Sequence, residues 1–360
     1  MATTTMERTP RRARLRRSDC SGPGVRRVRR GRGFTYLDGA GNRIADEEMI
    51  ERIRGLTIPP AWTEVWICVD PLGHLQATGI DAAGRKQYLY HERWREQRDR
   101  QKFQKMLRFA KALPRMRRNV AADLSGDLLT RERVLACAVR MLDVGLFRIG
   151  SEEYAESGGG LGLTTLGRDH VTVGPAGVAF DYPAKSGVRR VHAIDDPDCV
   201  AVVRALKRRR GGPPELLAYR DRRSWARVDA EDVNEYLKRH VGEDFSAKDF
   251  RTWNGTVLAA VALAASGREA RTKTARKRAI DGAVREVAEM LGNTPAVARR
   301  AYIDPRVFDR YRSGWTIRST LERIDGLGVA GDRTRTRIER AVLDLLAGEE
   351  DSPAIELSVS

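Results

Sequence analysis

Cysteine is scarce in this 360-residue chain, and Cys20, Cys68, Cys137 and Cys199 are scattered without a CxxC pair. That pattern excludes a disulfide framework and a cysteine-based zinc site, and it points to a reducing compartment. The five histidines (His74, His91, His170, His192 and His240) lack metal-ligand spacing, so no metal is expected. No run approaches the ~18 apolar residues that a membrane span requires. The longest candidate, Val257 to Ala265, is alanine-rich and reads as a buried core helix. A Gly-x4-Gly-Lys-Ser/Thr string is missing, and no carboxylate cluster has a metal-ligand context, so neither nucleotide nor other cofactor is implied. The glycine-rich stretch Ser157 to Gly162 follows no strand and reads as a flexible connection rather than a phosphate cradle. Asp195-Asp196-Pro197-Asp198 reads as a turn leading into a helix rather than a metal site.

What the chain has in excess is positive charge. Lysine and arginine total 66 against 49 acids, a formal net charge of +17. Such a balance points to a polyanionic partner, nucleic acid before membrane surface. Of the basic residues 56 are arginine, whose planar fork suits bidentate phosphate contacts. The hydrophobic fraction of 41% is enough for cores, and the length leaves room for two domains.

Residues 1–33 carry eleven arginines and two acids, Glu7 and Asp19, with almost no large apolar side chains. They are read as a disordered basic tail, a DNA-binding arm in preference to a transit peptide. Their +9 leaves +8 of the +17 for the rest, so the basic signal is not confined to the tail. Residues 34–95 alternate short apolar runs with turn residues, as in Phe34 to Leu37 and Val65 to Val69, with one helix over Asp46 to Arg54. This predicts a small β-rich N-terminal domain. Residues 96–320 are mainly helical, from Glu96 to Leu113, Arg131 to Leu142 and the stripe of Phe250, Trp253, Val257 and Val261. A hairpin is predicted from His170-Val171-Thr172-Val173 and Val178 to Tyr182, and a capping box at Ser246 to Asp249. Residues 321–360 are read as a weaker helical extension with an acidic tail. The expected fold class is α+β.

The stretch Gly292-Asn293-Thr294-Pro295 to Arg299-Arg300-Ala301-Tyr302-Ile303-Asp304-Pro305 places a tyrosine just past two arginines. A phenol of pKa about 10 is a poor nucleophile at neutral pH. Neighbouring cations favour the phenolate and would also bind a phosphate. Other candidates stand far apart in the chain: Arg148 in Phe147-Arg148-Ile149-Gly150, Lys185 in Tyr182-Pro183-Ala184-Lys185-Ser186-Gly187, and Arg251 on the helix opened by Ser246.

In this order and context, Arg148, Lys185, Arg251, Asn293 and Tyr302 resemble the active site of type IB DNA topoisomerases, in the bacterial and poxvirus-like branch. Further supporting strings are Gly162-Leu163-Thr164-Thr165-Leu166, Lys248-Asp249-Phe250-Arg251-Thr252-Trp253 and, near the N-terminus, Gly84-Arg85-Lys86-Gln87-Tyr88-Leu89-Tyr90. The resemblance spans about residues 34–315. It implies that Tyr302 attacks a DNA phosphodiester and becomes linked to the 3′ phosphate. Arg148 and Arg251 would donate to the non-bridging oxygens, and Lys185 would protonate the leaving 5′ oxygen. Position 293 carries Asn where eukaryotic and poxvirus relatives carry His. An amide binds a phosphate oxygen but moves no proton.

The same resemblance implies relaxation of positive and negative supercoils in double-stranded DNA without ATP or metal. It also implies a monomer that is cytoplasmic and nucleoid-associated in a bacterium. It implies DNA binding by the β-rich N-terminal domain, and DNA contacts are expected from Arg85, Lys86, Gln87, Tyr88, Tyr90, Tyr154, Arg271, Lys273 and Arg299. For Tyr88 and Tyr90, two apart and so on one face of a strand, plain sheet packing is an equal alternative. Two rival readings are a tyrosine recombinase and a non-enzymatic basic DNA-binding protein. The first typically carries His-x-x-Arg where this chain has Lys248-x-x-Arg251. The second would leave supercoils unchanged.

Overall fold

A computed structural model describes residues 13–151, 160–266, 272–325 and 331–357. The chain divides into two compact units, Met1–Lys102 and Phe103–Ser360. The break falls inside one long helix rather than at the expected 95/96 boundary.

The first unit is built on an antiparallel sheet of β1 (Val25–Arg30), β2 (Gly33–Leu37), β3 (Thr63–Ile67), β4 (Leu75–Ile80) and β5 (Lys86–Tyr90). Their order is β2-β1-β3-β4-β5. Helix α1 (Glu47–Gly55) starts at Asp46, whose side chain accepts from the Met49 N–H at 3.2 Å. Its Ile53 joins Val25, Ile58, Val65, Ile67 and Ala77 in a small core.

The predicted disordered tail through residue 33 is corrected here. Residues 1–12 lie outside the described residues, but β1 pairs with β2 and β3, and Val25 is buried opposite Ile67. Arg27 donates to the carbonyls of Ile58, Pro59 and Trp62 at 2.7–3.1 Å and lies over the Phe34 ring at 4.2 Å. Upstream, the Ser18 hydroxyl donates to the Leu75 carbonyl at 2.8 Å. Counting apolar residues undervalues such a segment, because main-chain pairing and one buried valine suffice to hold it.

Helix α2 (Glu92–Leu124) runs well past the predicted end at Leu113, through Pro114, because Met116, Val120 and Leu124 continue its apolar stripe. The second unit forms around α3 (Arg131–Gly145) and α6 (Ala247–Ala265). On α3 the run Val134 to Val139 is wholly buried, as befits a central helix. Between these two come the sheet of β6 (Val171–Gly174), β7 (Gly177–Pro183) and β8 (Arg189–Ile194), helix α4 (Pro197–Arg208), the hairpin β9 (Ala218–Asp221) and β10 (Ser224–Arg227), and α5 (Ala230–Val241). The predicted hairpin therefore has a third strand. Asp196 caps α4, accepting from the Cys199 N–H at 3.1 Å, as its turn chemistry predicts.

After α6 follow α7 (Lys273–Leu291), α8 (Pro295–Ala301), α9 (Pro305–Arg312), β11 (Trp315–Thr316), α10 (Arg318–Asp325), α11 (Asp332–Ala347) and β12 (Glu356–Leu357). Phe109 of α2 packs edge-on against Phe250 of α6, ring centres 5.0 Å apart. Burying each such side chain contributes about 1.5–3 kcal/mol. The described residues from 331 to 357 are packed into the domain rather than appended to it. Helix α11 sends Ala341, Val342, Leu345 and Leu346 into the same core, and β12 pairs with β11.

A charged cluster crosses this core. Arg117 of α2 donates to both carboxyl oxygens of Asp143, at 2.8 and 3.0 Å, and to both of Glu339, at 2.6 and 2.8 Å. Burial alone would push the Asp143 carboxyl up; Arg335 and Arg117 outweigh it and hold the group below its ordinary value. A depressed native pKa contributes stability that is fully present above the unfolded value of about 3.9. That stability is lost as pH falls through the lower native value. Asp143→Asn should therefore cost roughly 3–5 kcal/mol at pH 7, the cost of removing one charge from a buried ion-pair network. The gap to wild type should narrow steadily below about pH 4. Urea unfolding of both proteins across this range checks it, and a gap that stays constant refutes it.

Candidate active site

Arg148 is launched by the end of α3. Leu146 closes that helix in the left-handed conformation, φ 58°, which turns the chain sharply. Phe147 then enters the core, edge-on to Phe180 at 5.0 Å, and Arg148 points the other way. Its carbonyl accepts from the Leu163 N–H at 2.8 Å, and that of Ile149 from the Thr164 N–H at 2.8 Å.

These bonds lay residues 160–164 beside the Arg148 turn. The Leu161 N–H donates to the Pro183 carbonyl at 2.8 Å, which ties the same segment to the end of β7. Gly160, at φ +95°, sits so close that a Cβ would come 2.2 Å from the Ala184 carbonyl oxygen. Only glycine fits there. The described end of the expected flexible connection is thus a packed strut between Arg148 and Lys185. Lys185 itself is exposed, on a tight turn between β7 and β8 where the Ala184 N–H donates to the Val188 carbonyl at 2.8 Å.

Arg251 lies on the second turn of α6 and is 4% exposed. It donates to the carbonyls of Leu146 and Leu291 and to Asn293 Oδ1, each at 2.7 Å. Its Nε is buried without an acceptor. Helix α7 closes at Gly292, so Asn293 follows at once, its N–H donating to the Ala288 carbonyl at 2.8 Å. Arg148 Nη2 donates to the Gly292 carbonyl at 2.9 Å and to the same Asn293 Oδ1 at 3.3 Å. One amide oxygen therefore bridges both guanidiniums.

Tyr302 caps the C-terminus of α8, with its N–H bonded to the Ala298 carbonyl at 3.0 Å. Its backbone presses on α6 at Gly255, where a Cβ would come 2.8 Å from the Tyr302 carbonyl oxygen. The Arg251 guanidinium carbon lies 5.0 Å from the phenol ring centre. Arg148, Gly160, Lys185, Lys248, Arg251 and Tyr302 all line one open cleft of about 320 Å³. Lys248 joins the cluster although it is not among the five residues of the family resemblance. Its signal was the i,i+3 spacing from Arg251 on a helix, which puts both cations on one face.

The field in this cleft is positive, and none of the described residues lining it is acidic. The nearby Asp249 carboxylate is taken up by Lys105 at 2.9 Å and by the Ser246 N–H at 2.8 Å, the latter being half of the predicted capping box. Burial alone would raise the Tyr302 pKa; the charge and contact of Arg251, then Arg148 and Lys248, overcome it and hold the phenol below its ordinary value. Arg251 is held down to about 10, by burial first and then by Arg148, and remains a cation at neutral pH. His192, on β8 beside the cleft, is pushed down to about 4 by burial, then by Arg190 and Arg251. Its Nε2 therefore accepts from Arg190 Nη2, at 3.1 Å. Among the described residues no group of three or more His, Cys, Asp or Glu is placed to hold a metal ion.

The arginines that flank Tyr302 in sequence are not the cations that act most on it. Arg299 instead pairs with Asp281 at 3.3 Å and lies over the Phe308 ring at 4.9 Å. Lys273 is exposed on the first turn of α7. Tyr154 and Arg271 lie outside the described residues. In the first unit, Leu89 faces the core, so Tyr88 and Tyr90 take the opposite face of β5, an edge strand. Their rings stack at 6.2 Å and Tyr88 is 48% exposed, with the Lys86 ammonium 5.9 Å away. Arg85 and Gln87 are both held by Asp81, at 2.9 and 2.8 Å. The Asp81 carboxyl is lowered to about 2, chiefly by the Arg85 N–H and side chain.

A family model described as "Eukaryotic DNA topoisomerase I, catalytic core" matches residues 91–321, which include all five clustered residues. A second, described as "Bacterial DNA topoisomerase IB, N-terminal domain", matches residues 33–81. The DNA topoisomerase 1B of Acanthamoeba polyphaga mimivirus is 29% identical over 297 residues, 81% of this chain and 88% of the relative. The DNA topoisomerase 1B of Vaccinia virus (strain Western Reserve) is 20% identical over 273 residues, 74% of this chain and 84% of its own. The DNA topoisomerase 1 of Schizosaccharomyces pombe is 27% identical over 169 residues, 46% of this chain and 20% of its own.

The charge arrangement predicts a titration. Tyr302 should ionise below the ordinary phenol value, and Arg251→Ala should move it upward, because the lost cation favoured the phenolate. NMR of ring-labelled tyrosine, with Tyr302→Phe to assign the signal, measures both. A resonance that ignores Arg251→Ala would contradict this account.

Proposed function

Because the chain belongs to the type IB DNA topoisomerases, isomerases that act on DNA, we propose that its clustered residues break and rejoin one strand of a duplex through a tyrosine-linked intermediate. The Tyr302 oxygen attacks the scissile phosphorus. The bond to the 5′ oxygen breaks, and a 3′-phosphotyrosine and a free 5′ hydroxyl result. The phenol proton goes to solvent, and the departing oxygen receives its proton from Lys185. Arg148 and Arg251 neutralise the charge that builds on the non-bridging oxygens. The Asn293 carbonyl oxygen is occupied by the two guanidiniums, which leaves its amide nitrogen to donate to the phosphate. The phosphodiester energy is kept in the covalent bond, so resealing needs no ATP. Between the two steps the free end rotates, which lets supercoils of either sign relax.

The observation that carries this reading is the convergence of Arg148 and Arg251 on Asn293 with the phenol beside Arg251. The buried, unpartnered Arg251 Nε supports it, since a phosphate oxygen would supply the acceptor. All five residues come from one chain, which supports action as a monomer. The exposed Lys86 and Tyr88 support a role for the first unit as a DNA-binding domain. The cellular setting proposed is the bacterial cytoplasm, at the nucleoid.

Plasmid relaxation in EDTA without ATP tests the proposal. Wild type should relax positive and negative supercoils, and Tyr302→Phe should relax neither. Activity in both proteins, or in neither, would sink it. Lys185→Ala should slow cleavage by about 10²–10⁴-fold, the range of a lost general acid. A 5′-bridging phosphorothiolate at the scissile position, whose thiolate leaves without a proton, should restore the rate. If that substrate is cleaved no faster by the variant than the ordinary one, Lys185 is not the acid.

A further inference from the structure

Helix α11 lies beyond residue 321, where the match to the catalytic-core family ends. Its side chains nevertheless reach the elements that carry the two active-site arginines. Arg335 Nη2 donates to the Asp143 carbonyl and to Asp143 Oδ1, each at 2.7 Å, and to Asn254 Oδ1 at 3.2 Å. Asn254 Nδ2 returns a bond to the same Asp143 carbonyl at 2.9 Å. Asp143 stands in the last turn of α3, which launches Arg148. Asn254 stands one turn along α6 from Arg251. A single guanidinium from a third helix thus pins these two turns together.

The pin is itself held. Glu339, one turn along α11, accepts from Arg335 Nε at 3.2 Å, from Trp253 Nε1 at 3.2 Å and from Arg117. On the side nearer the cleft, Arg251 spans the same two helices by donating to the Leu146 carbonyl at 2.7 Å. The α3–α6 junction is therefore cross-tied at two levels, by Arg335 and Asn254 together at the Asp143 carbonyl and by Arg251 at the Leu146 carbonyl.

We propose that Arg335 is a positioning residue for strand cleavage: α11 acts as a brace that keeps Arg148 and Arg251 at the separation the scissile phosphate requires. The inference rests on the proposed reading of those two arginines as the phosphate clamp. Arg335 touches neither substrate nor Tyr302, and its effect passes through the α3 and α6 turns. Without the tie, the Arg148 turn shifts relative to Arg251, and a misplacement of about 1 Å costs up to ~10²-fold in rate.

The test uses the full-length protein and single-turnover cleavage of a nicked suicide duplex. Arg335→Ala should slow cleavage at saturating DNA by about 10-fold or more. The DNA dissociation constant, measured in the Tyr302→Phe background, should stay within about twofold, because phosphate contacts elsewhere set affinity. Arg335→Lys should recover part of the rate, since a single donating nitrogen with its positive charge remains. The decisive comparison replaces one non-bridging oxygen of the scissile phosphate with a neutral methyl group. This substrate asks less of the arginines, so the loss in Arg335→Ala should shrink on it. An unchanged rate on the ordinary substrate, or an equal loss on both, overturns the inference. Failure of wild type to cleave overturns instead the reading on which it rests. Should Arg335→Ala melt below the assay temperature, Arg335→Gln, which keeps a donor where Nε meets Glu339 but ends two bonds short of Nη2, carries the same comparison.

Discussion

Two guanidiniums share one amide oxygen at the centre of the candidate site, and the rest of the site depends on how that pair is tolerated. Like charges brought together and buried repel one another and lose hydration. A carboxylate would relieve this but would also cancel the charge meant for the substrate. The chain uses carbonyls instead. Arg251 is bonded to Leu146 at the end of α3 and to Leu291 at the end of α7, and Arg148 to Gly292 at the same α7 terminus. These are the partly negative ends of helices, with carbonyls left unsatisfied inside their own helices. They hold the cations by dipole and leave their formal charge intact. The depressed Tyr302 value follows from that surviving positive field, which also adds to the burial that pushes His192 down.

Once the arginines are held this way, the backbone around them has little freedom. Gly160 and Gly255 mark where main chain meets main chain without room for a side chain. The first lets residues 160–164 join the Arg148 turn to the Lys185 turn, and the second seats Tyr302 against α6. Both contacts shorten the path between groups distant in sequence. The cluster of Arg117, Asp143, Glu339 and Arg335 does the same from behind. A site that gathers cations needs such bracing, because the like charges repel one another and, among the described residues, only Asn293 Oδ1 bridges the two guanidiniums from within.

The residues that the structure brings together were legible because each sits in a turn or helix start with its own local chemistry: Phe147-Arg148, Ala184-Lys185, the capping box before Arg251, and the helix stop before Asn293. What misled was adjacency. Arg299 and Arg300 flank Tyr302 in sequence, but Arg299 faces Asp281 and Phe308, and the cations that act on the phenol come from α3 and α6. The fold was less legible where main-chain bonds or buried charges replace apolar periodicity. Strand β1, Val-Arg-Arg-Val-Arg-Arg, breaks the alternation of a half-buried strand and is held by pairing and by carbonyls on Arg27. Strand β8 opens with arginines that look like surface charge. Helix α11 hides Glu339 at a position where a periodicity count wants an apolar residue.

Lys185 differs in kind from its four companions. It is exposed on a turn between two strands, whereas Arg148, Arg251, Asn293 and Tyr302 are tied to helix ends and partly or wholly buried. The proposed chemistry explains the division. Groups that stabilise charge act best when fixed in advance in a site with little water, because they then need no reorganisation as the transition state forms. A general acid must recover its proton before the next cycle, and for resealing it must take one back. Burying it among three cations would favour its neutral form and cut it off from solvent. A short turn on a sheet edge lets the ammonium meet the leaving oxygen from one side and water from the other, while the clamp beneath it stays rigid.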